Sequence, residues 1–324
     1  MGTGKIANRF ATALQNLPDA EMVAVGSRRQ ETADTFADQY GIPRRHVAYE
    51  ALASDPDIDV IFVGTPHVFH LRDASLCLNA GKHVLCEKIL TINATEAEHL
   101  INLARAKERF LMEAMWTRFF PVHVRIRELL AEERIGDIQA VQANFFYPAP
   151  RDLKNRFFNK ALGGSAFLDA GSYGVSFAHS LLGAPSEIVS TAIMGETDVD
   201  YTSACLLRYD SGAIGVVSCS MVSPDVKNAR IIGSKGVIDI HPSWYKPTEM
   251  TLTVMGEEPE TTTYPLNGYN GYEYEATAVM DCIREGKTEC EVMPLDDSLA
   301  IMKILDTIRE QWNLSYPSEL KGQK

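Results

Sequence analysis

The chain has 324 residues, 45% of them hydrophobic, with 31 basic against 43 acidic side chains and a formal net charge of −12. That length suits two domains with substantial cores, and an acidic chain without a basic run argues against a nucleic-acid partner. No apolar run nears the ~20 residues of a membrane span and no signal peptide opens the chain. The six cysteines lack C-x-x-C spacing, which predicts reduced thiols, no metal site and a cytoplasmic protein.

Gly2-Thr3-Gly4-Lys5-Ile6-Ala7 reads as G-x-G-x-x-A, the turn that sets a dinucleotide pyrophosphate on a helix N-terminus. Ile6, Phe10, Ala13, Leu14 and Leu17 follow at helical spacing and predict a helix over 5–17. The apolar run 22–26 predicts a parallel strand buried on both faces. Only Met1 precedes the motif. The expectation is therefore a nucleotide-binding chain lacking its first strand, or a coding start placed too late. After 22–26 stand Ser27, Arg28 and Arg29, with no acid to bond a ribose 2′-hydroxyl. A guanidinium pairs with a 2′-phosphate, so Ser27 and Arg28 predict NADP in preference to NAD. Solubilising the helix expected over 30–40 is the other use of the two arginines.

Strand 59–64 delivers Thr65, Pro66 and His67 at its carboxyl end, where open α/β sheets bind ligands. A helix over 68–79, a strand over 83–86 ending in Glu87-Lys88, a helix to 107 capped by Asn93, and a strand over 110–115 follow. Pro121 opens a further helix. A second domain then carries strands over 138–146, 202–208, 214–220, 230–232, 237–240 and 251–254, with hairpin chemistry at Ser211-Gly212 and Lys235-Gly236. Helices are expected over 165–182, 271–285 and 295–312, and 319–324 is a polar tail. The predicted fold is a Rossmann-like α/β domain (1–118) joined to a mostly antiparallel α+β domain (119–324) with helices on one side.

Two constellations carry chemistry. Lys88, at a strand's carboxyl end, can stabilise negative charge developing on a substrate oxygen. A solvated lysine at a strand end is the plainer alternative. On a helix over 165–182, Asp169 and Tyr173 are spaced i,i+4 and share a face, with Ser176 near it. A phenol there can donate or accept a substrate proton, although an amphipathic helix with a hydrogen-bonded tyrosine has the same spacing.

The block Gly81-Lys82-His83-Val84-Leu85-Cys86-Glu87-Lys88, with Thr65-Pro66-His67-Val68-Phe69-His70 before it, resembles the glucose–fructose oxidoreductase/inositol dehydrogenase (Gfo/Idh/MocA) family. The runs 111–121 and 163–173, and the ending Leu305-Asp306-Thr307-Ile308-Arg309 with Tyr316-Pro317, are similar to its branch of dimeric dihydrodiol dehydrogenases and NADP-dependent D-xylose dehydrogenases. The resemblance implies that Tyr173 transfers the proton, with Asp169 and Lys88 beside it. It places Gly2, Thr3, Gly4, Lys5, Ile6, Ser27, Arg28, Thr65, Pro66, His67, Glu87 and Lys88 at the cofactor. Trp116, Arg118, Phe157 and Tyr272 are expected to line the substrate pocket. The family's proline after Glu-Lys is replaced by Ile89, and its inositol branch has histidine in place of Tyr173.

The expected activity is hydride transfer between NADP (or NAD) and an alcohol, hemiacetal or vicinal diol carbon. An aldose such as D-xylose is the first substrate and a trans-dihydrodiol the second. The resemblance implies a homodimer or homotetramer through the open face of the antiparallel sheet. The alternative is a non-catalytic NADP(H) sensor, since the family includes a galactose-pathway corepressor.

Overall fold

The computed structural model describes residues 1–320; residues 321–324, the end of the polar tail, lie outside them. Two units organise the chain, one formed by Met1–Trp116 with Leu266–Leu299, the other by Thr117–Pro265 with Ala300 onward.

In the first unit α1 (Lys5–Gln15) follows the glycine turn and buries Ala7, Phe10, Ala11 and Ala13. Then come β1 (Ala24–Gly26), α2 (Gln30–Tyr40), β2 (Arg44–His46), α3 (Tyr49–Ala53), β3 (Val60–Val63), α4 (His70–Asn79), β4 (His83–Glu87), α5 (Ala94–Ala106) and β5 (Leu111–Ala114). The Asn93 side chain caps α5 by accepting from Glu96 N at 2.8 Å. All pairings are parallel, but the strands fall into two sheets, β1–β2 and β3–β4–β5. Their buried runs place the Gly2–Lys5, Ser27–Arg28, Thr65–His67 and Glu87–Lys88 segments at the ends of the elements, where the chain turns.

The second unit holds α6 (Pro121–Ala131), β6 (Ile138–Pro148), α7 (Ser172–Leu182), β7 (Glu187–Met194), β8 (Asp200–Arg208), β9 (Ile214–Ser220), β10 (Val222–Val226), β11 (Ala229–Gly233), β12 (Gly236–Ile240), β13 (Glu249–Val254) and β14 (Glu260–Thr263). The strands run β14-β13-β12-β11-β6-β9-β8-β7, with β10 on β6, and only β6–β9 is parallel. α7 packs on one sheet face so closely that a Cβ at Gly174 would lie 2.6 Å from Val217 Cγ1. The opposite face exposes Val189, Ile193, Leu206 and Ile214. The strand at 187–194 escapes sequence reading because one face is exposed and the other only half-buried, leaving no alternation of apolar and polar residues.

Two expectations are corrected. The helix expected over 165–182 begins with a π turn, Phe167–Gly171, before α7. Buried Asp200 accepts from Ser165 Oγ at 2.5 Å and from Phe167 N at 2.8 Å, anchoring the start of that turn. Asp169 and Tyr173 are therefore not one regular α-turn apart. The domain reading of 119–324 also changes, because α8 (Tyr272–Arg284) belongs to the first unit. Glu273 accepts from Asn270 N, Gly271 N and Asn16 Nδ2, tying α8 to the end of α1. The chain then forms α9 (Leu295–Gln311) and α10 (Pro317–Leu320).

Candidate active site

The first unit builds a dinucleotide cradle from backbone. Gly2, at φ +88°, donates its N–H to Gly26 O at 2.9 Å, and a Cβ there would come 3.1 Å from Gly64 O. Gly4 caps α1 without a side-chain acceptor, no acid occupies the first turn, and a Cβ at Gly4 would meet nothing within 4 Å. The first-turn N–H groups of Lys5, Ile6 and Ala7 have no intrahelical acceptor and carry the positive end of the helix dipole, which fits a pyrophosphate. Exposed Gly4 and Lys5, with Thr3 half-buried beside them, leave that approach open to a ligand.

At the end of β1, buried Ser27 shares a 2.6 Å hydrogen bond with Thr32 Oγ1, while Arg28 and Arg29 are exposed. Arg28 lies near Tyr49, whose phenol is pushed up by burial and then by the charge of Asp73. Arg72 lies near the same phenol and is held by Asp73, Nε to Oδ1 at 2.7 Å. Tyr49 and Arg72 are neighbours of Arg28 that the sequence did not flag, since neither belongs to the glycine motif.

The loops after β3 and β4 are tied by His70. Its Nε2 lies 2.7 Å from Thr65 O and its Nδ1 2.9 Å from Ile89 O, and burial holds its pKa below the usual histidine value. Thr65 Oγ1 donates to Asp73 Oδ2 at 2.8 Å. His67 is buried beside His70, ring edge to face at 6.5 Å. The Lys88–Ile89 peptide is cis and Ile89 is only 1% exposed. Lys88 is half-buried, and its N–H donates to Glu87 Oε2 at 3.1 Å. Glu275 on α8 is fully buried near Glu87, and burial, then the Glu87 charge, raises its pKa well above the carboxylic range. Sequence reasoning missed Glu275, which reads there as one of two acids in a helix's first turn.

Trp116 stacks face to face on Tyr272, centroids 4.2 Å apart, and both are 3% exposed. Their rings therefore cover each other.

In the second unit Asp169 sits on the π turn. Its Oδ2 accepts from Tyr147 OH at 2.6 Å and its Oδ1 from Arg156 Nη2 at 3.0 Å. Tyr147, at the end of β6, has its phenol pKa raised by burial first and by the Asp169 charge next. Tyr173 is 8% exposed and packs against Phe145 at 5.6 Å and Tyr245 at 5.8 Å. Phe145 and Tyr245 stack on each other at 4.5 Å. Arg156 lies over Phe157 at 4.2 Å, with the Phe157 ring 5.9 Å from Tyr147. Arg118, 5% exposed, donates from Nε to Ser176 Oγ at 3.1 Å and from Nη2 to Ser176 O at 3.2 Å. The structure thus gathers Tyr173, Asp169 and Phe157 with Tyr147 and Tyr245, and Tyr147 and Tyr245 were missed. The aromatic triplet Phe145-Phe146-Tyr147 at a strand end was the only signal for Tyr147.

A phosphate-binding helix terminus on a parallel sheet, with a tyrosine–carboxylate pair in a second α+β unit, defines a nucleotide-dependent oxidoreductase. The oxidoreductase family with an NAD-binding Rossmann fold matches residues 1–115, and the GFO/IDH/MocA C-terminal domain matches residues 123–239. The chain belongs to the GFO/IDH/MocA oxidoreductase family. It is 38% identical over 327 residues to the trans-1,2-dihydrobenzene-1,2-diol dehydrogenase of Xenopus tropicalis, covering 97% of both chains. The human protein of the same name is 36% identical over 98% of this chain and 97% of its own. Among solved structures, KijD10, a 3-ketoreductase from Actinomadura kijaniata in complex with NADP and TDP-benzene, superposes at TM-score 0.86 with 28% identity over 95% of each chain. The protein is an NAD(P)-dependent dehydrogenase with an NAD(P) cofactor, which sets aside the non-catalytic sensor. No helix among the described residues is long and apolar enough to cross a membrane.

Proposed function

We propose that this dehydrogenase oxidises a trans-dihydrodiol, with NADP as the preferred cofactor. Identity of 36–39% over nearly the whole chain to trans-1,2-dihydrobenzene-1,2-diol dehydrogenases carries the reading. NADP bound in the cradle supplies the hydride acceptor. Gly2, Thr3, Gly4, Lys5 and Ile6 would hold its pyrophosphate. Ser27 and Arg28, with Arg72 near the same tyrosine, would hold the 2′-phosphate, a dianion that a carboxylate at this point would repel. Thr65, Pro66, His67 and Glu87 would frame the remainder.

Tyr173 takes the proton of the reacting hydroxyl as the C–H bond breaks, and returns it in the reverse direction. Lys88 stabilises the negative charge that builds on that oxygen. Each such contribution is of order 10²–10⁴-fold in rate. Asp169, fixed by Tyr147 and Arg156, holds the turn from which Tyr173 projects. Phe145, Tyr147, Phe157 and Tyr245 offer an apolar wall suited to a dihydroaromatic ring. Arg118 and the Trp116–Tyr272 pair act as supports for the segments they join.

The protein is proposed to be cytoplasmic, consistent with six free, buried cysteines, and to form a homodimer or homotetramer through the open sheet face with Val189, Ile193, Leu206 and Ile214. The test follows NADPH formation with trans-1,2-dihydrobenzene-1,2-diol, with D-xylose and with neither, repeating each with NAD. Faster turnover of the diol with NADP is expected. Turnover of D-xylose alone would replace the diol by an aldose, and equal rates with NAD would remove the 2′-phosphate role of Arg28.

A further inference from the structure

Beside Tyr173 the aromatic wall of Phe145, Tyr147, Phe157 and Tyr245 is half-buried, so each ring is partly open to a ligand. The Tyr245 end of this wall is firmly held. Trp244, fully buried, donates from Nε1 to Asn144 O at 2.9 Å and from its backbone N to Lys227 O at 3.4 Å. Thr117 Oγ1 donates to Tyr245 O at 2.5 Å. These bonds fix the backbone at 227 and at 244–245 against the end of β6, so Phe145, Lys227 and Tyr245 keep their places relative to one another.

Two ammonium groups border that end. Lys227 Nζ lies 5.5 Å from the centre of the Phe145 ring and 5.9 Å from that of Tyr245, and Lys246 Nζ lies 6.0 Å from the Tyr245 ring centre. A cation within ~6 Å of an aromatic ring is attracted to it, more strongly where water is scarce. The Lys227 side chain is only 13% exposed, although lysine is a strongly hydrated point charge that is seldom buried without an anion to meet. Its present partner, Asp225, takes Nζ at 2.7 Å on both oxygens, but that carboxylate is 62% exposed and water screens its hold. Lys246 is exposed and makes no ion pair among the described residues. At the other end of the wall Arg156 is matched by Asp169. In a chain of net charge −12, positive charge is therefore left in excess beside Tyr245.

We infer that the Tyr245 end of the wall is a carboxylate subsite, so that the substrate is a dihydrodiol whose ring carries a carboxylate, with Lys227 and Lys246 as the residues that select it. The inference rests on the proposed reading of the Tyr173 wall as the substrate site. The ring seats against Phe145 and Tyr245, which supply apolar contact. Its carboxylate meets Lys227 in a charge-assisted hydrogen bond and gives Lys246 the anion it lacks, while Asp225 turns to the water that already covers it. A neutral diol gains the apolar contact alone. Charge, and not shape, then separates the two substrates.

The experiment measures dissociation constants by calorimetry, with NADPH present, for catechol, for the isomeric dihydroxybenzoates with adjacent hydroxyls and for the amides of those acids. Each acid and its amide have the same shape and differ in charge. At least one acid is expected to bind about tenfold or more tightly than its amide, and the preference to shrink as salt is raised to about 0.5 M. Lys227→Met should bring the ratio of acid to amide close to one, Lys246→Met should reduce it, and Lys227→Arg should keep it. Where Lys227→Met fails to fold, the exposed Lys246→Met and the salt dependence decide. Equal binding of acid and amide in every pair, or a preference undiminished in both methionine variants, would overturn the inference. Catechol that binds while no acid is preferred would overturn the subsite and leave the diol reading standing. Failure of catechol, amides and acids alike to bind would overturn both.

Discussion

The bond between Tyr147 and Asp169 should be the main support of the segment that carries Tyr173. Tyr147→Phe removes a 2.6 Å O–H···O contact to a carboxylate whose side chain is 17% exposed. A hydrogen bond to a charged, mostly buried acceptor contributes ~1.5–3 kcal/mol. The ion pair from Arg156, whose side chain is 42% exposed, is screened and adds only ~0.2–1 kcal/mol. Asp169→Ala loses both and should cost ~2–4 kcal/mol. A double-mutant cycle on Tyr147→Phe and Asp169→Ala, followed by urea denaturation at neutral pH, should return a coupling of ~1.5–3 kcal/mol. Turnover should fall in both single variants while NADPH affinity stays constant, because the bond lies in the second unit and the cradle in the first. Coupling below ~0.5 kcal/mol, or turnover unchanged in both, would show that the pair does not hold the turn.

Tyr173→Phe keeps the ring among Phe145 and Tyr245 but removes the proton carrier, so kcat should drop by ~10²–10⁴-fold with NADPH binding within about twofold; retained turnover, measured as NADPH formation, would exclude the phenol. Arg28→Ala should weaken NADPH by at least tenfold while leaving NADH nearly unchanged; equal losses in a fluorescence titration would exclude a 2′-phosphate contact. Asp200 is pushed up to about 6 by burial, against ~3.9 when unfolded. Between those values the folded state keeps a proton that the unfolded state has released, so this group's stabilisation is greatest below pH ~4 and declines as pH rises to about 6. The unfolding free energy of the wild type minus that of Asp200→Asn should fall by ~2–3 kcal/mol from pH 4 to 7, and parallel profiles would contradict the assignment.

Much of the first unit was legible because its signals are local. Gly2, at φ +88°, states its backbone requirement directly, and the apolar runs that follow mark the parallel strands. The Asn93 cap and the helix Gln30–Tyr40 followed from capping chemistry and periodicity within a few residues.

Residues that act across the chain were not legible. Tyr147 lies 22 positions from Asp169, and nothing in its own neighbourhood shows that β6 will end against the turn at 167–171. The π turn itself depends on Asp200, 33 residues from Phe167, brought there by β8. Helical periodicity therefore promised a regular α-turn that a distant carboxylate replaced. Likewise Tyr272 and Glu275 reach the first unit only because Glu273 anchors α8 to α1, with Asn16 donating from 257 positions away. The sequence by itself determined the order of the elements and the glycine turn before α1, since each rests on short-range backbone or side-chain chemistry. Tertiary structure alone decided which partners hold Asp169 and which unit claims α8. Those outcomes depend on packing between segments far apart in the chain, whose register no local pattern encodes.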